Sequence, residues 1–233
     1  MAAPDPSLVR PARGARGGAL LLPVACLLVI ALLAWQVLSA GPATVLDGRL
    51  PLWFAGNRQP WLDAFMLAVA NGHDTVRLLG ATVLIAFWRI WRQQQRDLAY
   101  LAAVPAGMLL NVGLKILFAR PRPVLEDPLV HLSTFSFPSG HAVGSTVFYG
   151  ALCALVLAHA RHRGTRALAI GVAVAMVLLV CFSRVYLGAH YLSDVLAGVC
   201  VGTLCLLPFL RLAVRARGGP AGPGQGRRRN GAG

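Results

Sequence analysis

Apolar residues run along most of the chain in stretches that are long enough to cross a lipid bilayer as helices. A bilayer core about 30 Å thick requires roughly 20 helical residues. Five clear runs approach or reach that length, and polar residues are concentrated between them. The clear runs cover residues 19–40, 98–118, 142–160, 167–186 and 191–212.

A sixth run, residues 61–91, is interrupted by Asn71, His73, Asp74 and Arg77. We interpret it as a span over residues 75–91 that is preceded by an interfacial segment. The pattern therefore predicts an all-α, polytopic membrane protein with six transmembrane helices in a single bundle.

The two ends of the chain are basic and differ from the apolar middle. The first run is longer than the apolar region of a secretory signal, which has about 7 to 15 residues, so we expect a retained anchor. We predict a basic N-terminal segment over residues 1–18, a membrane domain over residues 19–212, and a disordered basic tail over residues 213–233 that is rich in Gly, Pro and Arg.

Composition agrees with a membrane protein and excludes several soluble classes. Of the 233 residues, 57% are hydrophobic and only 13% are charged. The net charge of +14 resides in the tails and short loops rather than on one soluble face, so we do not expect a nucleic-acid partner. All five cysteines fall inside apolar runs, without the spacing of a disulfide framework or of paired metal ligands.

Arginine placement predicts the orientation of the chain in the membrane. Arginines concentrate before the first span and after the second, fourth and last spans, so these segments and both termini are expected in the cytoplasm. The outer loops nevertheless contain Arg120, Arg122 and Arg184. Cations that occur against the topological preference indicate a function.

Three polar segments lie at the predicted outer ends of the helices. In the first, K-I-L-F-A-R-P-R-P, Lys115 precedes Arg122 by seven residues. Pro121, between these two residues, and Pro123, after them, are expected to end the helix. Two cations on either side of such a stop can bind one anion. Alternatively, both side chains extend to lipid head groups.

The second segment, F-P-S-G-H, opens the fourth span with Ser139, Gly140 and His141. Free backbone N–H groups, a hydroxyl and the positive end of a helix dipole together form an anion site. Taken alone, the same residues also fit an ordinary serine cap beside a solvated histidine.

The third segment, S-R-V-Y-L-G-A-H-Y-L-S-D, joins the fifth and sixth spans. His190 and Asp194 are four residues apart, so on a helix they share a face, and the carboxylate can hold one imidazole nitrogen while the other acts as a nucleophile. A His–Asp pair that only braces two helices is the alternative.

Together the three segments resemble the type 2 phosphatidic acid phosphatase superfamily, whose motifs are K-x6-R-P, P-S-G-H and S-R-x5-H-x3-D. All three motifs are complete here, in family order and with family spacing, between Lys115 and Asp194. The resemblance implies a membrane lipid phosphatase, and the layout of six spans extends it over most of the chain.

The resemblance also implies a role for each matching residue. His190 would attack phosphorus to form a phosphohistidine, and Asp194 would orient it. His141 would protonate the leaving oxygen and then activate water. The groups expected to bind the phosphoryl oxygens are Lys115, Arg122, Arg184, the Ser139 hydroxyl and the Gly140 N–H. We expect no metal and no cofactor, because three converging cations repel a divalent ion.

Other functions remain open at this level. A phosphotransferase would use the same phosphohistidine with a different acceptor, and a noncatalytic lipid-phosphate receptor or transporter would need the cations but not the two histidines. The related soluble vanadate haloperoxidases lack membrane spans. We expect an integral protein of a bacterial inner membrane, with an extracytoplasmic site and no obligate protein partner. Polyprenyl diphosphate, phosphatidic acid and phosphatidylglycerol phosphate are the expected substrates, the first of them favoured by analogy.

Overall fold

The computed structural model of this chain describes residues 14–218, which form helices joined by turns and one long loop, without a β-strand in that range. Residues 1–13 and 219–233, which contain most of both predicted basic ends, lie outside it. The helices are α1 (Gly14–Leu38), α2 (Ala43–Gly56), α3 (Pro60–Gly72), α4 (Thr75–Trp91), α5 (Leu98–Leu101, preceded by the 3-10 turn Gln95–Asp97), α6 (Ala103–Phe118), α7 (Gly140–His159), α8 (Arg163–Tyr186) and α9 (Leu192–Gly218).

Within residues 14–218, five helical segments are long and apolar enough to cross a membrane. They are Leu20–Leu38, Gln95–Phe118, Gly140–His159, Arg163–Tyr186 and Leu192–Arg217. The chain is therefore an integral membrane protein, and residues 14–218 are all-helical apart from turns and loops. The predicted sixth span corresponds to α4, which has 17 residues and begins and ends where the sequence predicts.

Local sequence signals explain several helix ends. Asp74 caps α4, because its carboxylate accepts a hydrogen bond from the Arg77 N–H at 2.8 Å. Helix α6 ends at Phe118, ahead of Pro121 as predicted, and Ala119 follows in the left-handed region with φ 43°. Helix α9 continues to Gly218, so residues 213–218, predicted as tail, are helical.

Helix α2 is an element that the sequence analysis did not predict. It contains Asp47, Arg49 and two glycines, so no uninterrupted apolar run marks it. Asp47 and Pro51 are nevertheless buried against the rest of the protein. Helix α3, which follows it, corresponds to the interfacial segment predicted before residue 75.

Helix α7 is the centre of the molecule and packs against α4, α5, α6, α8 and α9. Its residues Val143, Val147 and Ala151 are completely buried, as expected for a helix enclosed by others. Helix α1 packs mainly along α9 and leaves most of its apolar side chains exposed. An exposed apolar helix surface is the surface expected to face lipid.

A partly buried ion cluster joins four elements at one end of the bundle. Asp97 accepts a hydrogen bond from Arg89 of α4, and its Oδ1 lies 3.3 Å from Nη2 of Arg217 in α9. His159, at the end of α7, has its Nε2 at 2.7 Å from Arg217 Nη2 and 3.1 Å from Arg89 Nη2. We call these four residues the distal cluster, because the three motifs lie at the opposite end of the helices.

Candidate active site

The three motifs meet because successive long helices alternate in direction. Helices α6 and α8 end where α7 and α9 begin, and the loop 119–139 and the turn 187–191 cover this end of the bundle. The structure brings all eight predicted site residues to this region, as the contacts below show. They are Lys115, Arg122, Ser139, Gly140, His141, Arg184, His190 and Asp194.

The turn that carries His190 depends on a glycine. Gly188 adopts φ +64°, in the left-handed region that glycine occupies without strain. A Cβ atom at this position would also lie 2.3 Å from Cδ1 of Leu125 in the covering loop. Gly188 therefore allows the chain to reverse between α8 and α9 directly beneath that loop.

His190 and Asp194 form a buried pair, as expected, but they do not lie on one helix. Helix α9 begins at Leu192, so His190 belongs to the preceding turn, and the turn rather than the helix period brings the two side chains together. The His190 Nδ1 lies 3.5 Å from Asp194 Oδ2, and the two residues are 2% and 0% exposed.

The second ring nitrogen of His190 faces a cation. Its Nε2 lies 3.2 Å from Nη1 of Arg122, an arginine nitrogen that can only donate. With Asp194 beside Nδ1, this arrangement assigns the proton to Nδ1 and the lone pair to Nε2. A neutral imidazole with Nε2 unprotonated is the form that acts as a nucleophile.

Burial keeps His190 in that neutral form. It lowers the pKa of His190 to about 3, and the neighbouring Asp194 carboxylate only partly opposes the effect. Burial also lowers the pKa of Arg122, again with Asp194 opposing it. An arginine starts from so high a value that it remains a cation at neutral pH.

The three predicted phosphate-binding cations are not neutralised by acids. Lys115 Nζ donates to the backbone carbonyl of Phe135, and Arg122 donates to the carbonyls of Thr134 and Ala189, both at 2.6 Å. In the part of the chain that the structure describes, Lys115, Arg122 and Arg184 form no ion pair with a carboxylate. Carbonyl partners fix the side chains while leaving their positive charge available to an anion.

Two buried hydrogen-bond donors in this region lack a protein partner among residues 14–218. They are the Ser139 Oγ, in a residue with no exposed surface, and the Nε of Arg184, which is 2% exposed. Ser139 occupies the cap position of α7 but makes no side-chain cap, so its hydroxyl remains available. Unsatisfied buried donors are costly, and a bound anion would satisfy both of them.

Gly140 allows the start of α7 to approach α6 closely. A Cβ atom there would lie 3.1 Å from Nδ2 of Asn111 and 3.8 Å from Cε of Lys115. The Gly140 N–H belongs to the first turn of α7, where no intrahelical acceptor exists. This N–H therefore lies beside Lys115 and can serve the same anion.

His141 follows in the same turn of α7 and is held by α3. Its Nε2 lies 3.1 Å from the carbonyl oxygen of Ala70, which can only accept. That contact assigns the proton to Nε2 and leaves Nδ1 as the basic nitrogen. The positive charge of Arg184 acts on His141, so the two residues belong to the same site.

The sequence analysis missed two residues that contact Asp194 directly. The Ser136 hydroxyl donates to Asp194 Oδ2, and Arg120 Nη1 lies 2.5 Å from Asp194 Oδ1. Arg120 was visible as a cation on the unexpected side of the membrane, two residues before Arg122. Ser136 had no local signal, because it lies in an irregular loop and 58 residues from its partner.

Comparison with known proteins identifies the same family as the motifs do. The PAP2 superfamily model matches residues 96–217. Phosphatidylglycerophosphatase B of Bacillus subtilis is 36% identical over 152 residues, covering 63% of this chain and 73% of that protein. Undecaprenyl-diphosphatase BcrC of Bacillus subtilis is 28% identical over 151 residues, covering 58% and 73%.

A solved structure shares the fold over most of both chains. The crystal structure of a transmembrane PAP2-type phosphatidylglycerolphosphate phosphatase from Bacillus subtilis aligns with a TM-score of 0.73 at 31% identity. The alignment covers 81% of this chain and 94% of that one. It extends the likeness to residues that precede the segment matched by the family model.

Proposed function

This chain belongs to the PAP2 superfamily and is a membrane lipid phosphatase, and we propose that it hydrolyses its substrate through a phosphohistidine formed on His190. The observation that carries the proposal is the environment of this imidazole. Its Nδ1 faces the buried Asp194, and its Nε2 faces Arg122, one of three cations that pair with no carboxylate among the residues that the structure describes. A nucleophile directed into a positive pocket suits attack on a phosphoryl group.

In the first step, His141 carries a second proton on Nδ1. Nε2 of His190 attacks phosphorus, the bond from phosphorus to the lipid oxygen breaks, and His141 donates its Nδ1 proton to that oxygen. Asp194 stabilises the ring as positive charge develops on it. Lys115, Arg122 and Arg184 bind the nonreacting oxygens together with the Ser139 hydroxyl and the Gly140 N–H.

In the second step, the oxygen of a water molecule attacks the phosphorus of the phosphohistidine while His141 accepts a proton from that water. The phosphorus–nitrogen bond breaks, phosphate leaves, and His190 returns to its neutral form. The residues of the chain supply the nucleophile, the acid–base group and the positive charges, so the proposed reaction requires no metal.

We propose a phosphorylated membrane lipid as the substrate. Relatives of this chain act, by their names, on phosphatidylglycerophosphate and undecaprenyl diphosphate. A site at the ends of membrane-spanning helices suits an amphiphile whose head group enters the pocket while its tail remains in lipid. Polyprenyl diphosphate, phosphatidylglycerol phosphate and phosphatidic acid are the candidates.

We also propose six membrane spans, with the site on the extracytoplasmic side and both termini in the cytoplasm. The sixth span is α4, whose 17 residues extend about 25 Å, close to the thickness of a bilayer core. The arginine-rich helix ends lie with the distal cluster, opposite the site, which supports this orientation by the positive-inside rule. A bacterial inner membrane is the proposed location.

The test is phosphate release by purified protein in detergent with excess EDTA, using the three candidate lipids. Wild type should remain active, and His190→Ala should lose activity by at least about a thousandfold. His131→Ala is the matched control, because His131 is an exposed histidine of the covering loop.

Each other outcome has a distinct meaning. Full activity of His190→Ala would overturn the nucleophile assignment, and loss of wild-type activity in EDTA would overturn metal independence. Wild type that releases no phosphate from any lipid, but transfers it to an added alcohol, would identify a phosphotransferase.

A further inference from the structure

Asp47 of α2 is a buried carboxylate with no part in the family motifs. Its residue is 5% exposed, its Oδ2 lies 3.1 Å from Arg120 Nη2, and its Oδ1 accepts the Ser193 N–H at 3.0 Å. The Ser193 hydroxyl also donates to it. Asp47 therefore contacts both Arg120 and the residue that immediately precedes Asp194.

The guanidinium of Arg120 is held in place by partners at both terminal nitrogens and on one flat face. Its Nη1 contacts Asp194 Oδ1 at 2.5 Å and Ser193 Oγ at 2.7 Å, while Nη2 contacts Asp47. Its guanidinium carbon lies 4.0 Å from the ring centroid of Tyr191. A planar guanidinium held in this way has one orientation, so it transmits the position of Asp47 to Asp194.

The two oxygens of Asp194 consequently have separate partners. Oδ1 is bound by Arg120, whereas Oδ2 accepts from Ser136 and from the Tyr191 N–H at 3.0 Å and faces His190 Nδ1. Arg120 thus sets the plane of the carboxylate, and that plane determines whether Oδ2 meets the imidazole.

We propose that Asp47 and Arg120 are positioning residues of this phosphatase: through Ser193 and Asp194 they set the orientation of the His190 ring. The inference rests on the proposed function of His190. It assigns to α2, which precedes the segment 96–217 matched by the family model, a part in the reaction. A mutation there acts on catalysis without touching substrate.

The electrostatics agree with this role rather than with simple filling of the core. Two carboxylates share one guanidinium in a region where Arg120 is 7%, Asp47 5% and Asp194 0% exposed. Buried ionic groups of this kind contribute little net stability, so apolar residues would serve the core equally well. The charges of Asp47 and Arg120 instead fix the orientation of the Asp194 carboxylate.

The test is the turnover of Asp47→Asn, which keeps the shape of the side chain but removes its charge. We expect kcat to fall about 10- to 100-fold with KM within about twofold, because the phosphate-binding groups are unchanged while the nucleophile is misaligned. Asp63→Asn is the matched control. Asp63 is a carboxylate of α3 that contacts Tyr186 rather than Arg120.

A double-mutant cycle separates positioning from a general effect on folding. In an Asp194→Asn background, Asp47→Asn should lower kcat by less than about twofold further, because the two residues act through one group. Losses that multiply, or a wild-type kcat for Asp47→Asn alone, would overturn the proposal.

Two further variants keep the test decisive if Asp47→Asn does not fold. Ser193→Ala and Arg120→Lys each remove part of the same chain of contacts, and both should lower kcat several-fold without changing KM. Wild-type kcat in both would overturn the proposal. The wild-type and His190→Ala assays run in parallel, so failure of the proposed phosphatase activity is recognised separately.

Discussion

At the scale of single residues, the positive charges of the site lie near one nitrogen of His190 and the negative charge lies near the other. Lys115 and Arg122 are held by carbonyl oxygens, whereas Asp194 lies on the other side of His190 and contacts its Nδ1. An acid placed among the cations would cancel the field that attracts phosphate. Placed behind the ring, the same negative charge stabilises the imidazolium that forms during attack.

The buried neutral state of His190 predicts how stability depends on pH. The folded protein holds the pKa of His190 near 3, below the value of about 6.5 in an unfolded chain. As pH falls from 6.5 towards 3, the unfolded chain takes up a proton that the folded protein does not. His190 therefore contributes to acid destabilisation by about 2 kcal/mol between pH 8 and pH 5.

The measurement compares wild type with His190→Gln, using thermal midpoints in detergent at pH 8 and pH 5. The variant should lose less stability between these two values than wild type does. Equal losses of thermal stability in wild type and variant would show that folding does not lower the pKa of His190. His131→Gln, on the exposed loop, should resemble wild type.

At the scale of helices, close packing of α7 on α9 aligns the two motifs that these helices carry. The Ser139 N–H donates to the Asp194 carbonyl at 2.9 Å, so the starts of the two helices are directly bonded. A Cβ atom on Gly198 would lie 2.8 Å from the Ser139 carbonyl oxygen and 2.8 Å from Ala142 Cβ. Small residues allow this approach, as at many helix contacts in membranes.

Substitution of this glycine should therefore damage both stability and activity. Gly198→Ala requires α9 to move away from α7, at a cost of about 1–3 kcal/mol, and separates Ser139 from Asp194. We expect a lower thermal midpoint in detergent and a lower kcat. Gly171→Ala in α8 is the control, because nothing lies within 4 Å of its added Cβ; a similar loss there would contradict the packing argument.

The sequence predicted those helices and helix ends that are determined by residues close to them in the chain. The boundaries of α4 and the end of α6 followed from apolar length, Asp74 and the prolines, and all eight proposed site residues followed from the motifs. Helix α2 and its Asp47 were missed, because the partners of Asp47 are distant in sequence: Ser193, which donates a hydrogen bond to it, is 146 residues away. His190 lies in a turn before α9, so the helical period does not explain its pairing with Asp194, and the spacing of four residues did not show that Gly188 allows this turn.

At the scale of the whole molecule, the long helices alternate in direction between two polar ends. The covering loop and the motifs lie at one end, and the distal cluster lies at the other. Between them the exposed helix surfaces are apolar, including Leu84 and Phe87 of α4 and Leu117 of α6. This distribution places the two polar ends in water on opposite sides of a bilayer.

The proposed orientation predicts which positions a membrane-impermeant thiol reagent reaches in intact cells. Val124→Cys, at an 89% exposed position of the covering loop, should be labelled from outside. Gln93→Cys, in the exposed turn after α4, should be labelled only after the membrane is permeabilised. The reverse pattern would invert the topology, and a protein with all five native cysteines replaced by alanine serves as the background.

Helix α9 is tied by charge at both ends, at Asp194 to Arg120 and at Arg217 to the distal cluster. The two positions are 23 residues apart, which corresponds to about 35 Å of helix, a length that cannot change without breaking one of the two contacts. Adjustment to membranes of different thickness therefore falls to the surrounding lipid, which must stretch or thin around a protein of fixed height.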